Sequence, residues 1–465
     1  MRRGSLVRGL RRVLPAMYFQ KRGDATRRFF YPTCLFVLFS LALCGMGHAL
    51  TVTLVQSADV DGAPAILDEK AIVLTFGDER VVIHDTSTPV EGERLSSEEL
   101  PLSELYLIRD RRAMSLRTGY DRLYSHHGFL LGVVKDPEGL AAMPHVSMRP
   151  VTASTVVTEK PKRVGAAKDP IVTKMLKMVS ATQYKKYMNS LAANLATRYA
   201  CSNRQAMAMN VIKNFFSGLG LETSIMTFQN DCGYGCQELT GYNVIGIKKG
   251  TVRSDEYYLV GGHYDSINEK GNPCTNARGA NDNASGAAGL MELARVFSKV
   301  KTKASVIFVA FSGEEEGFYG SKKYVQTLVK SGMNAKLKGF VILDMISYYK
   351  KNYGVIIEGT RKTTNQSAAL DKLASYCEIY TGLTYEVSTD YGDSDHEPFL
   401  DKKMPGALLI EMDWDSYAYY HTGQDRMGYQ KIAYGVEVVR LAAALLTEAG
   451  VSFPKFGARA ISNGH

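Results

Sequence analysis

Net basic charge is missing from most of this 465-residue sequence, although its formal net charge is +9. Nine Lys/Arg (Arg2, Arg3, Arg8, Arg11, Arg12, Lys21, Arg22, Arg27 and Arg28) and one acid, Asp24, lie in residues 1–49 and account for +8 of it. The remainder is nearly neutral, which excludes the basic face of a nucleic-acid binder. Long apolar runs are lacking too: "CLFVLFSLALCGMG" is short for a membrane span. No internal repeat or long low-complexity segment is present, which excludes repeat arrays. Histidine is scarce. After residue 145 only His263, His396, His421 and the terminal His465 occur. What is there is an ordinary globular composition, 45% hydrophobic and 22% charged, on a chain long enough for two domains or one large one with an appendage.

The basic leader and its apolar core have the pattern of a secretory signal peptide over residues 1–49. Small residues in "GHA" place cleavage near Ala49, an uncleaved signal anchor being the alternative, and Met17 is a second candidate start. The expected destination is secreted or periplasmic, with no stable membrane span after cleavage. Cleavage removes Cys34 and Cys44 and leaves Cys201, Cys232, Cys236, Cys274 and Cys377. Pairs are expected in an oxidising compartment. "DCGYGC", with Gly233 and Gly235 inside the loop, points to a Cys232–Cys236 bond. The alternative, half of a CxxxC zinc site, has no second half with matching spacing. The odd count leaves at least one thiol free or paired with another chain.

Residues 50–165 differ from the rest of the chain. "TVTLVQ", "AIVLTF", "RVVIH" and "FLLGVV" are short stretches separated by Asp, Gly and Pro, and predict a small β-rich unit. The polar "VTASTVVTEKPKRVGAAKDP" reads as its linker. In an exported enzyme such a unit is either a removable propeptide or a permanent accessory domain. Residues 166–455 alternate helices with apolar strands, and 456–465 form a tail. Helical spacing appears in "ATQYKKYMNSLAANLATRYA", "RQAMAMNVIKNFFSGLG", "SGAAGLMELARVFSKV", "GSKKYVQTLVKSG" and "YGVEVVRLAAALLTEAG". "EYYLVGGH", "SVIFVAF", "GFVILD", "YGVIIE" and "ALLIEM" suit strands buried on both faces. The pattern predicts an α/β three-layer sandwich with a mostly parallel central sheet, preceded by the β-rich unit.

Functional groups of open α/β sheets collect at the carboxyl ends of strands. Here "EYYLVGGHYDS" ends in His263 and Asp265, "GANDNASG" offers Asp282 at a helix entrance, and "SVIFVAFSGEEEG" delivers Glu314, Glu315 and Glu316. "GFVILDM" ends in Asp344, and "YYHTGQD" after "ALLIEM" carries His421. Each has a bland explanation alone: a loop histidine, a helix-capping aspartate, a solvated glutamate run. Together, in order, at successive strand ends, the bland explanations are improbable. Two histidines and three carboxylates suit two zinc ions. Asp282, Glu315 and Asp344 with one bridging hydroxide balance four positive charges, which relieves the repulsion of adjacent glutamates. Asp265, two residues past His263, is placed to accept that ring's other N–H.

The series H-x-D, D-N-A-S-G, E-E, L-D-M, S-D-H and H-T resembles the secreted di-zinc leucyl aminopeptidase family of bacteria, over roughly residues 170–450. The resemblance implies His263 and Asp344 on one zinc and Glu315 and His421 on the other, with Asp282 between them. It implies Glu314 as general base, no metal role for Glu316, and a structural role for Asp395 and His396 in "SDHEPF". Tyr391 stands where the family has a tyrosine that would hydrogen-bond the tetrahedral intermediate, packing being the alternative. Cys274 and residues 50–165 have no counterpart in the motif.

The function expected is an exported zinc metalloaminopeptidase, a monomer, acting on peptide or protein N-termini. Two other functions remain open: a single-zinc glutaminyl cyclase of the same fold, which would not need His263 with Asp265, and a non-catalytic binding ectodomain, against which the intact ligands argue. Met345 and Tyr420, beside ligands, favour an apolar first residue. Asp413 and Asp415 in "EMDWDSYAYYH" would favour Lys or Arg.

Overall fold

A computed structural model describes residues 50–56, 71–77, 79–85, 90–110, 119–143, 146–152, 158–159 and 167–454. The leader, its cleavage point, the 456–465 tail and much of the linker lie outside the described residues. Strands β1 (Leu50–Gln56), β2 (Ile72–Phe76), β3 (Glu79–Asp85) and β4 (Glu93–Arg94) form an antiparallel sheet in the order β2-β3-β1-β4. A second antiparallel sheet contains β5 (Leu105–Asp110), β6 (Asp121–His126), β7 (Phe129–Val133) and β8 (Val146–Pro150), ordered β6-β7-β5-β8, with helix α1 (Pro137–Ala141) before its last strand. Alternation drives the packing: Ile72, Leu74 and Phe76 point inward while Val73 and Thr75 are half-buried. Both sheets contribute to one core through Val52, Phe76, Val81, Ile83, Leu107, Phe129 and Leu131. The β6–β7 hairpin turns on His127 and Gly128, both at positive φ (45° and 83°), as a two-residue type I′ turn requires.

The expected linker is not all linker. Thr158–Glu159 forms β9, which pairs antiparallel with the main sheet. The larger region then runs through α2 (Pro170–Leu176), α3 (Ala181–Met188), α4 (Gln205–Gly218), β10 (Glu222–Gln229), β11 (Thr240–Lys248), β12 (Arg253–His263), α5 (Ala284–Ser298), β13 (Lys301–Thr302), β14 (Ala304–Phe311), α6 (Tyr319–Lys330) and β15 (Leu337–Leu343). It continues through β16 (Gly354–Glu358), α7 (Thr364–Tyr380), β17 (Thr384–Ser388), α8 (Glu397–Asp401), β18 (Gly406–Glu411), α9 (Ile432–Leu446) and β19 (Val451–Ser452). The nine-stranded sheet is ordered β10-β11-β14-β12-β15-β18-β16-β17-β9. Its centre, β14-β12-β15-β18, is parallel, with antiparallel pairings toward both edges. Every residue of β14 and β18 is buried, because helices cover both faces, which is why these strands read as unbroken apolar runs.

Two expectations are corrected. The helix foreseen over 181–200 stops at Met188 and ends in a π turn, Asn189–Ala193. Beyond it the chain is pulled away by Arg198, whose buried guanidinium donates to the carbonyls of Tyr264 (2.6 Å), Gly279 (2.9 Å) and Arg278. Cys232 and Cys236 are not bonded to each other. The bonds are Cys201–Cys232 and Cys236–Cys274, with Cα separations of 5.8 and 5.9 Å, and Cys377 is a buried free thiol. Both ends of the glycine loop are thus stapled to distant segments, a pairing that spacing alone does not encode.

Candidate metal centre

The centre sits at the carboxyl ends of the parallel strands. His263 is the last residue of β12, and Asp344 follows β15 directly. After β14 the chain turns at Gly313, in the left-handed region at φ 70°, where a Cβ would lie 2.5 Å from Asn230 Oδ1. Glu314 and Glu315 come next. Asp282 precedes α5, whose cap Asn283 accepts from the Gly286 amide at 2.7 Å. Small residues let this helix press on the sheet: a Cβ on Gly286 would meet the Leu343 carbonyl at 2.2 Å. His421 and Met345 hold positive φ (52° and 45°), sparsely populated for such residues and found where surrounding structure enforces it. Here Glu269 N donates to the His421 carbonyl at 3.0 Å, and Met345 N to Asn283 Oδ1 at 3.3 Å.

His263 Nε2 lies 3.2 Å from Asp344 Oδ1, 3.3 Å from Asp282 Oδ1 and 3.9 Å from Glu314 Oε2. His421 Nε2 lies 3.1 Å from Asp282 Oδ2 and 3.0 Å from Glu315 Oε2. Asp282 therefore spans the two histidines with one oxygen toward each. Behind them, Asp265 Oδ1 faces His263 Nδ1 at 3.5 Å, Glu269 Oε1 faces His421 Nδ1 at 3.6 Å, and Ser394 Oγ donates to Asp344 Oδ2 at 2.7 Å. Burial acts to lower the His263 imidazole, but Asp344 and Glu314 outweigh it and hold it well above the ordinary histidine value. His421 is raised in the same way, against burial, by Tyr420 and Glu315. Burial would raise Asp282, yet the two histidines hold it below the usual carboxylate range. Glu315 is pushed up to about 7, by burial and then by Asp282. Carboxylates this close and this buried cannot all ionise without added positive charge.

The donor set fits zinc. Ligands about 2.0 Å from a tetrahedral ion stand about 3.3 Å apart, close to the spacings seen here, and Glu315 Oε1 is buried with no hydrogen-bond partner. Two overlapping groups, His263–Glu314–Asp344 and His263–Asp282–Glu315, bring metal-ligating atoms within 4.8 Å of one another.

Residues 243–445 match the sequence model of Peptidase family M28. Over this segment the chain is similar to that family. A probable zinc metalloprotease of Pyrenophora tritici-repentis is 30% identical over 205 residues, 37% of this chain and 46% of that protein. Leucine aminopeptidase 1 of Trichophyton rubrum is 29% identical over 213 residues, 42% of this chain and 55% of that protein. The chain thus spans about half the length of these two curated relatives, both fungal. Among solved structures, the aminopeptidase from Aneurinibacillus sp. strain AM-1 superposes with TM-score 0.51 at 20% identity, covering 61% of this chain and 97% of that one. The LapA aminopeptidase of Legionella pneumophila gives 0.52 at 19%, covering 75% and 99%. The chain shares the fold of these two over the parts covered.

Not every residue singled out in the sequence reaches the centre. Tyr391 donates to Asp401 Oδ1 (3.0 Å), accepts from Lys362 Nζ (2.8 Å) and does not line the cleft. Asp413 Oδ2 accepts the amides of Lys350, Lys351 and Asn352 at 2.7–2.8 Å, and Asp415 accepts the Gly128 amide at 2.9 Å. Both are occupied in holding loops and leave the cleft to Met345, Tyr420, Leu408, Ile410 and Trp414. Glu316 faces Tyr199 rather than the histidines. His396 contacts Glu358 Oε1 at 3.0 Å, within the scaffold, and Asp395 is buried.

Sequence reading missed Glu269 and Ser394, which back His421 and Asp344, and three further contributors. Asp425 accepts the amides of Asn281 and Asp282 at 2.9–3.0 Å and so fixes the bridging carboxylate; its place four residues after His421 in "HTGQD" is the only signal. Arg198 brings a buried positive charge beneath the acidic cluster and is lowered to about 10, chiefly by burial. Arg109, on β5, reaches the cleft from the N-terminal sheets. It donates two bonds to Glu358 (3.0 and 2.9 Å) and one to the Asp390 carbonyl (3.1 Å), beside Gly392–Ser394 of the cleft wall. The cleft that remains is about 40 Å³, room for a few waters.

Proposed function

We propose that the chain is an exported zinc aminopeptidase that removes the first residue of peptides at a centre holding two zinc ions. The observation that carries this reading is Asp282, with one oxygen toward His263 and the other toward His421, and Asp344 and Glu315 flanking them. His263, Asp282 and Asp344 would hold one ion, and His421, Asp282 and Glu315 the other. Zinc so bound polarises the scissile carbonyl and lowers the pKa of water. Glu314, buried beside the ligands, takes the proton from the attacking water and returns it to the leaving amine. Asp265 and Glu269 orient the two imidazoles, and Ser394 orients Asp344. Met345, Tyr420, Ile410 and Trp414 offer the substrate's first side chain an apolar wall, so Leu, Met or Phe is the preferred residue. Two disulfides accord with export to an oxidising compartment.

The test is hydrolysis of aminoacyl p-nitroanilides by the purified protein, with and without chelator. Release from leucyl anilide, none from N-acetyl-leucyl anilide, and recovery on adding zinc support the proposal. Cyclisation of N-terminal glutamine without anilide hydrolysis would select the cyclase, and neither activity would leave a binding ectodomain.

A further inference from the structure

A second histidine–carboxylate cluster, none of whose residues lines the cleft, lies where the N-terminal sheets meet the main sheet. His126 ends β6, His127 is the first residue of the hairpin turn, and Glu386 belongs to β17. His126 Nε2 stands 2.9 Å from Glu386 Oε2, and His127 Nε2 stands 3.7 Å from Glu386 Oε1. These side chains are only 12%, 13% and 6% exposed. Their ligating atoms fall within 4.8 Å of one another, as do those of the catalytic groups.

We infer that His126, His127 and Glu386 form a further metal site, taking one zinc-like divalent ion that fastens the β6–β7 hairpin to strand β17. Three observations carry it. The ligand spacings, 2.9 and 3.7 Å, bracket the 3.0–3.3 Å of the histidine–carboxylate pairs at the catalytic centre. The outer arrangement is repeated as well: Glu79 Oε2 faces His126 Nδ1 at 3.4 Å, as Asp265 faces His263 at 3.5 Å and Glu269 faces His421 at 3.6 Å. Such a carboxylate fixes the tautomer that leaves the inward nitrogen free to ligate. Third, a proton-mediated pair would need one imidazole, yet two adjacent rings, 4.2 Å between centroids, turn a nitrogen to the same carboxylate. Solvent completes the coordination at the partly exposed face.

The experiment uses the full chain, loaded with zinc and freed of excess by gel filtration, and counts metal per chain. His127→Asn is the main variant, because asparagine tolerates the left-handed turn. It should bind one ion fewer than the unsubstituted protein and keep its anilide hydrolysis. The difference of one does not depend on how many ions the catalytic centre holds, so failure here is distinct from failure of the aminopeptidase assignment. Equal metal content in the two proteins overturns the site. Should the variant not fold, an anomalous difference map from zinc-loaded crystals of the unsubstituted protein decides it: a peak between His126, His127 and Glu386 supports the site, and peaks at the catalytic centre alone overturn it.

Discussion

Within Glu314–Glu316 one turn gives three identical side chains different surroundings: Glu314 stands 3.9 Å from His263, Glu315 stands 3.0 Å from His421, and Glu316 faces Tyr199. Substitution should separate them. Glu315→Ala removes a ligand and should lose zinc. Glu314→Gln is nearly isosteric and should keep the metal while turnover falls on the order of 10²–10⁴-fold, with substrate affinity changed far less. Glu316→Gln should do little to either. Metal analysis and steady-state kinetics of the three variants check this, and an inactive Glu316→Gln would shift the assignment by one residue. His263, Glu314, Glu315 and Asp344 were legible in the sequence because they stand at or just past the end of an apolar strand, and Asp282 because it stands at a helix entrance; His421 was marked by the scarcity of histidine. Arg198, Asp425 and Arg109 were not legible. Their partners are backbone groups or carboxylates far along the chain (Arg109 and Glu358 are 249 residues apart), and nothing local marks them. Tyr391 shows the converse, a residue in the right motif position whose hydroxyl is engaged by Lys362 and Asp401.

Among elements, the strands buried on both faces were readable, since continuous apolar runs of five to eight residues leave little other choice. Strand β10 at the sheet edge was not: in "ETSIMTFQ" only Phe228 is fully buried, so no apolar run marks it. The β6–β7 hairpin was half-visible. Its second strand, "FLLGVV", could be read, but not that its turn would drive into the larger region. Gly128 sits against the Trp414 ring, where a Cβ would come within 1.9 Å, and its amide donates to Asp415. Gly128→Val should therefore cost about 1–3 kcal/mol through overpacking, with added strain from the positive φ. Denaturant unfolding measures it, and an unchanged midpoint would mean that the hairpin does not press on Trp414 in solution.

For the whole molecule, the N-terminal sheets form part of the cleft as well as preceding it. Arg109 supplies a wall, Arg149 stands 3.1 Å from Asp390, β9 extends the main sheet, and the space left over the acidic centre is about 40 Å³. Cutting the linker and removing residues 50–159 should therefore raise kcat/KM on leucyl anilide, and equal rates before and after cutting would refute a restraining role. The chemistry depends on what Asp282 holds. The most direct measurement is an anomalous difference map at the zinc edge from crystals of the zinc-loaded protein. The account predicts two peaks about 3.5–4 Å apart, one between His263 and Asp344 and one between His421 and Glu315, with the Asp282 carboxylate between them. A single peak there, or none, would contradict it.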